Sequence, residues 1–267
     1  MASPYLSPYE DPAAHASISA LIRRHSSNRE DVREAMLKDL DLAGAEEVLD
    51  LGCGFGFWTE EIAGRVPNAA RFTGIDACEG NEHSYVQSVE SAGRTARFIC
   101  ATLDRRLPFD DASFDLVIAA YSLYFFAHIV PDVARVLRPG GRFLAVTHSE
   151  GCFAGLLGAV GLSTNDSPLA RLIREFSAEN GEALLAPDFP RVARVDYRNS
   201  LSFRREDHAD FLAYLQFKLP LLSPGATYGK GLPMEVTRRA SESLHGRGRV
   251  VVQKDDTLFI CGGPDGR

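Results

Sequence analysis

The run Val48-Leu49-Asp50-Leu51-Gly52-Cys53-Gly54-Phe55-Gly56-Phe57-Trp58 concentrates residues whose types and spacing can hold a ligand. Three glycines at alternate positions make a turn whose backbone N–H groups a ligand can approach with no Cβ in the way. Asp50 places a carboxylate inside an apolar run, where an uncompensated charge is costly to bury. The pattern suits capture of a polar ligand at the end of a strand. A dinucleotide fingerprint would put a small residue at position 57 after Gly52 and Gly54. Phe57 stands there, and the third glycine comes one place early, at Gly56. A nicotinamide oxidoreductase is therefore disfavoured.

The elements that must carry this turn can be read from the hydrophobic period. Helical spacing appears over residues 15–24 and 29–40, with Ser26, Ser27 and Asn28 as cap-like residues between them. Short apolar strands are expected at 46–51, 71–76, 96–101, 114–120 and 142–147, and helices at 58–65, 82–92 and 129–137. Alternating β and α elements with nearly continuous apolar strands predict an α/β, doubly wound parallel sheet covered on both faces. Beyond Ser149 the pattern loosens to helices at 168–179, 205–217 and 234–244. Strands there are expected at 192–203 and 250–261, the latter broken by Asp255 and Asp256. In such sheets ligands sit beyond the carboxyl ends of the strands, where strand order reverses.

The segment Val48–Gly56 resembles motif I of class I S-adenosylmethionine-dependent methyltransferases, of the methyltransferase type 11-like kind. Three further segments agree in order and spacing: Asp76, twenty residues after Gly56; Leu107-Pro108-Phe109 through Ser113–Val117; and Arg135–Arg142. The resemblance covers roughly residues 45–148, a little over a third of the chain. It implies a Rossmann-like methyltransferase fold, a seven-stranded mostly parallel sheet with helical lid elements. It divides the chain into an N-terminal lid over 1–45, an S-adenosylmethionine-binding core over 46–150, and a C-terminal part over 151–267 that completes the sheet. By the same resemblance Asp50 and the backbone of Gly52, Cys53, Gly54 and Gly56 hold the methionine end of S-adenosylmethionine. Asp76 holds the ribose, and Ala77, Ala120 and Tyr121 complete the contacts. The adenine contact departs from the family pattern: the usual Asp falls at Leu103, so either the backbone there or Asp104 one place later reads the ring.

The family transfers a methyl group in line to a nucleophile, and a hydroxyl acceptor is helped by a general base. On this reading Tyr121, Tyr124 and His128 lie near the end of strand four, and His148 and Glu150 beyond strand five. His148 is the first candidate base, the alternative being a loop histidine bonded to backbone. Tyr121 and Tyr124 either line a sulfonium pocket, since aromatic faces favour cations, or pack as part of the lid. His128 reads as a surface residue, and His208 stands at a helix start. Tyr5, Tyr9, Asn28 and Arg29 could reach the cofactor from above.

Charge and composition narrow the acceptor. The formal net charge is −7 from 29 basic and 36 acidic residues, which argues against a basic nucleic-acid binder. Residues 191–254 are locally basic, either as a solvated surface or as arginines that meet an anionic acceptor. After strand four the chain reads Ala119-Ala120-Tyr121-Ser122-Leu123-Tyr124, without the Pro-Pro-aromatic run of base-modifying relatives and without the carboxylate cluster of metal-dependent O-methyltransferases. The expectation is a small-molecule acceptor, possible anionic character included, with no metal. The alternatives are an RNA or protein methyltransferase, or a protein that binds the cofactor without methylating. The five cysteines suggest neither a disulfide framework nor a zinc site. The N-terminus lacks a signal-peptide pattern and no apolar stretch is long enough to span a membrane, so a cytoplasmic enzyme is expected.

Overall fold

The structure, a computed structural model, describes residues 9, 11–164, 167–222 and 231–262. Helices α1 (Pro12–His25) and α2 (Val32–Leu37) precede β1 (Glu47–Leu51), α3 (Phe57–Ala63), β2 (Arg71–Asp76), α4 (Glu82–Glu90) and β3 (Thr95–Cys100). There follow β4 (Phe114–Ala120), α5 (Val130–Val136) and β5 (Leu137–His148), then α6 (Ala154–Ala159), α7 (Pro168–Glu175), α8 (Gly181–Leu185), β6 (Arg191–Tyr197) and β7 (Ser200–Arg204). The chain continues through α9 (His208–Leu222), α10 (Met234–Arg247), β8 (Arg249–Gln253) and β9 (Asp256–Gly262). Among the described residues, no helix is long and apolar enough to cross a membrane.

Seven strands form one sheet in the order β3-β2-β1-β4-β5-β9-β6. Strands β1 to β5 are parallel, and β9 lies antiparallel between β5 and β6. The expected seven-stranded, mostly parallel, doubly wound sheet is thus the fold. Its strands read as continuous apolar runs because helices cover both faces. On one face Leu49, Val117, Phe143 and Phe259 pack with Val133 and Val136 of α5. On the other, Val48, Phe72, Ile118 and Leu144 meet Leu37 of α2, Ile62 of α3 and Val89 of α4. Val117 and Ile118 are fully buried, each contributing about 1.5–3 kcal/mol of transfer free energy.

A third core lies apart from the sheet. Ile18 and Leu21 of α1, Leu156 of α6, Ile173 of α7, Phe211 and Tyr214 of α9, and Leu244 of α10 pack on Leu201 of β7 and Val252 of β8. The first 45 residues divide between the two bodies of structure: α1 joins this third core, whereas Met36 and Leu37 of α2 join the sheet.

The structure corrects the reading of residues 192–203 as a single strand and shows that the break expected at Asp255 and Asp256 separates two strands of different sheets. Each segment is two strands: β6 and β9 belong to the seven-stranded sheet, and β7 pairs only with β8. Both segments change sheet at the same level. There the Asn199 N–H donates to Asp255 Oδ1 at 2.8 Å, and the Lys254 N–H donates to the Asn199 carbonyl at 3.0 Å. Two further differences lie in the C-terminal half. α6 and α8 are additional short helices, and α9 runs on through Pro220 to Leu222. A proline there removes one donor near the end of the helix, where little of the ladder remains to be broken.

Candidate functional site

The strand order reverses between β1 and β4, so the crevice at their carboxyl ends is where a ligand is expected. The glycine turn lies there. Gly52, Gly54 and Gly56 all have positive φ, 69°, 51° and 88°. Gly52 is required twice over, because a Cβ would stand 2.5 Å from the Ser122 Cβ. Ser122 cannot yield easily: its hydroxyl is buried and donates to the Leu51 carbonyl at 2.6 Å. At Gly54, by contrast, a Cβ would meet nothing nearer than His15 Cε1 at 4.0 Å, so this glycine faces open space under α1.

Two carboxylates frame the turn. Asp76, at the end of β2, accepts the Gly54 N–H on Oδ2 at 2.8 Å and the Cys78 N–H on Oδ1 at 2.8 Å. Asp50 is buried within β1 and accepts from the Thr59 hydroxyl. Burial pushes its carboxyl up to about 7; the Thr59 bond opposes this and the neighbouring Asp76 adds to it.

A single cavity of about 800 Å³ runs from these groups to the end of β5. Of the residues expected to hold the cofactor, Asp50, Gly52, Cys53, Gly54, Asp76, Ala77, Leu103, Ala120 and Tyr121 line it. Gly56 caps α3 in the left-handed conformation and closes against Ser88 instead. Asp104 is exposed, off the cavity wall, and accepts the Arg105 N–H at 2.8 Å. Of the two alternatives for the adenine contact, the structure brings Leu103 to the cavity and leaves Asp104 outside.

At the far end stand His148, Tyr121 and Tyr124, all on the cavity wall. His148 is the last residue of β5, buried, and bonded to a side chain, not to backbone. Its Nδ1 lies 2.6 Å from Asp256 Oδ1. The Tyr121 hydroxyl donates to Asp256 Oδ2 at 3.0 Å, and Lys254 Nζ donates to both carboxylate oxygens at 2.9 and 2.8 Å. The His148 ring stacks on Tyr121 with centroids 4.6 Å apart, and the Lys254 ammonium sits 4.9 Å from the same tyrosine ring. Burial and the charge of Lys254 pull His148 down to about 4, against the raising effect of Asp256. Burial works to raise Asp256, but the charges and hydrogen bonds of Lys254 and His148 outweigh it and hold the carboxyl below its usual range. The imidazole is therefore neutral at neutral pH. With its Nδ1 proton committed to Asp256, Nε2 is the nitrogen that carries the free lone pair.

His148, Cys152 and Asp256 also offer ligand atoms within 4.8 Å of one another, a donor set of metal type. The Lys254 ammonium, bonded to both Asp256 oxygens, already supplies the positive charge that such a donor set calls for.

The remaining expectations separate cleanly. Tyr9 and Asn28 line the cavity; Arg29 does not, and Tyr5 lies outside the described residues. His128 is exposed. Glu150 turns away to accept from Ser177, and His208 bonds Ser241 on α10. None of the arginines of the basic segment 191–254 lines the cavity; among the described residues, the cations from that segment that do are Lys218 and Lys254. Among the cavity residues that sequence reasoning did not single out are His15, Lys218, Lys254 and Asp256. For the last two a signal existed. Residues 254 and 256 share one side of a strand by its two-residue period, and they interrupt an otherwise apolar run. His15 and Lys218 lie on helices distant in sequence, and their helical periodicity alone pointed only to packing.

Comparison with known proteins agrees with this frame. Residues 48–141 match the family described as "Methyltransferase domain". A demethylmenaquinone methyltransferase of Bacillus cereus (strain B4264) is 26% identical over 126 residues, 46% of this chain and 53% of that protein. The chain thus spans about half the length of the curated relatives it matches. Among solved structures, the YcgJ protein from Bacillus subtilis aligns over 93% of this chain and 98% of that one, with TM-score 0.54 and 18% identity. The [4+2]-cyclase SpnF aligns over 95% and 94%, with TM-score 0.53 and 18% identity. These structural likenesses concern the fold.

Proposed function

We propose, from the premise that this chain carries a class I methyltransferase domain, that it binds S-adenosylmethionine and passes its methyl group to a small-molecule acceptor. The observation that carries this reading is one continuous cavity joining the glycine turn, Asp50 and Asp76 to the His148–Asp256 pair. Its volume of about 800 Å³ is within the range for sites that enclose small ligands.

The residues fit the cofactor. Gly54 leaves room above its backbone, Asp76 offers carboxylate oxygens for the ribose hydroxyls, and buried Asp50 suits the cationic methionine end. The backbone at Leu103 would meet the adenine, and Ala77, Cys53 and Ala120 would complete the wall. When bound, the cofactor supplies a sulfonium methyl group for in-line displacement. The chain's own part is alignment and proton removal. Tyr121 and Tyr124 offer aromatic faces at the junction of the two halves of the cavity. His148 Nε2 takes the proton of an acceptor hydroxyl or amine, and Asp256 holds the imidazole in the required tautomer and stabilises its protonated form. Lys254 and Tyr121 fix Asp256. Helix α1, Asn28 and residues 30–34 roof the cavity, keeping water from the reacting groups. All five cysteines are free thiols, in keeping with work in a reducing cytoplasm.

Calorimetric titration with S-adenosylmethionine, S-adenosylhomocysteine and NAD tests the reading. Micromolar binding of the two adenosyl ligands, and not of NAD, is expected. In Asp76→Ala both should weaken by about 10- to 100-fold, the loss of a hydrogen bond to a charged group. Absence of adenosyl binding by the wild-type protein would sink the proposal. Binding without any turnover to S-adenosylhomocysteine across an acceptor screen would favour a non-methylating protein.

A pH dependence follows from Asp50. Its folded-state carboxyl lies near 7, and the cationic end of the ligand favours the ionised form. Affinity for S-adenosylmethionine should therefore hold above pH 7 and fall by up to about tenfold per unit below it. Asp50→Asn should bind weakly at every pH; an unchanged pH profile in that variant would remove Asp50 from the site.

A further inference from the structure

Lys218 projects from α9 onto the wall of the same cavity and is only 8% exposed. Its Nζ sits 5.3 Å from the Phe153 ring and 5.4 Å from the Phe217 ring. Among the described residues no carboxylate lies within ion-pair distance of it. The other cations of the wall are already neutralised: Lys254 by Asp256, Arg23 by Asp31, and Arg33 by Asp31 and Glu60. Among the described residues Lys218 is thus a buried ammonium with aromatic neighbours and no ion-pair partner, Asp256 acting on it only from beyond that distance. Such a group is costly to keep unless something completes it.

Its place relative to the proposed base is informative. The Phe153 ring that flanks Lys218 also makes an edge contact with His148, centroids 5.4 Å apart. Lys218 lies between the two ends of the cavity: its charge acts on His148 and on His15, whose ring stacks on Phe217 and faces Gly54. The surroundings are aromatic: Phe153 and Phe217 flank the ammonium, and Tyr9 meets Phe217 edge-on. A single ammonium balances one negative charge, and a phosphate dianion would leave a second one uncompensated in this buried place.

We infer that Lys218 anchors an anionic acceptor, a monoanion such as a carboxylate on an aromatic or otherwise apolar body, beside His148. This rests on the reading of the cavity as a methyltransferase site and names its substrate class. The charge balance supports it, since burial and the nearby Lys254 lower Lys218 to about 7, and an anion would reverse that. The anion would also offset the positive charge of Lys218 that disfavours protonation of His148. The locally basic segment therefore contributes to acceptor recognition through a lysine on a buried helix face, and its exposed arginines stay outside.

The test uses benzoate and benzamide, matched in shape and differing in charge, titrated at about pH 6 into the full chain saturated with S-adenosylhomocysteine. Benzoate is expected to bind about tenfold or more tightly than benzamide. Lys218→Met should abolish that preference, leave S-adenosylhomocysteine affinity unchanged and raise Tm, because it removes an unpaired buried charge. Benzoate no tighter than benzamide, a preference that survives in Lys218→Met, or a fall in Tm in that variant would each overturn the inference. Should S-adenosylhomocysteine fail to bind the wild-type chain, the cofactor reading fails separately. The benzoate–benzamide comparison without it then still decides the role of Lys218.

Discussion

Methyl transfer by His148→Ala is expected to fall by about 10²- to 10⁴-fold in kcat, the usual contribution of a positioned acid–base group, with S-adenosylmethionine affinity unchanged. His148 meets the geometric requirements of a base. It ends β5 on the cavity wall, its Nδ1 is held 2.6 Å from Asp256, and its ring is fixed by stacking on Tyr121. It is neutral at neutral pH because burial and Lys254 lower it to about 4. The low value also implies that His148 by itself is a weak base. It acts best on an acceptor proton that is already acidic, and the carboxylate of Asp256 must stabilise the imidazolium as it forms. His148→Gln should be as slow as the alanine variant, since an amide can hydrogen-bond but cannot take the proton. A kcat within about threefold of wild type in both variants would leave positioning as the whole of catalysis. The acceptor would then be a nucleophile that needs no base.

Asp256→Ala is expected to cost about 3–5 kcal/mol of folding stability, the penalty for leaving a buried charge without its partner. In a chain of this size that is a fall in Tm of roughly 10 °C. Asp256 is 3% exposed and accepts from Lys254, Tyr121 and His148 at once. Removing it leaves the Lys254 ammonium, 6% exposed, without its counter-ion. Activity should fall with stability, because the imidazole loses its tautomer control. Thermal unfolding of the double variant Lys254→Met, Asp256→Leu separates the two effects. Without either charge the stability should largely return, while kcat stays low. If the single variant unfolds within about 1 kcal/mol of wild type, Asp256 is not the buried counter-ion that the geometry makes it.

Much of the core was legible because its elements are local. The sequence patterns place β1 to β4 and their helices to within a residue or two, while β5 begins at Leu137, five residues before its expected start; the continuous apolar strands announce a sheet covered on both faces. The glycine turn was legible for the same reason. Gly52, Gly54 and Gly56 are read from positions a few residues apart, and their positive φ values are what alternate glycines permit. Asp76 could be placed by its distance from that turn along a βαβ unit. The C-terminal third was read less well. An apolar alternation shows that residues 192–203 and 250–261 are extended, the latter broken at Asp255 and Asp256, but not that each changes sheet halfway. That change is set by Asn199 meeting Asp255 across 56 residues of chain.

What the sequence determined by itself is therefore the parallel sheet, the glycine turn at its reversal point and the two carboxylates that frame it. All of these follow from short-range spacing. The tertiary structure alone decided the other half of the cavity. Strand β9 is inserted between β5 and β6, which puts Asp256 opposite His148 in the register, 108 residues away in the chain. Helices α1 and α9 bring His15 and Lys218 over the crevice from opposite ends of the sequence. A histidine, a lysine or an aspartate in isolation is indifferent between surface and site. Which role it plays is set by what the fold packs against it, because burial makes each charge costly and each partner decisive.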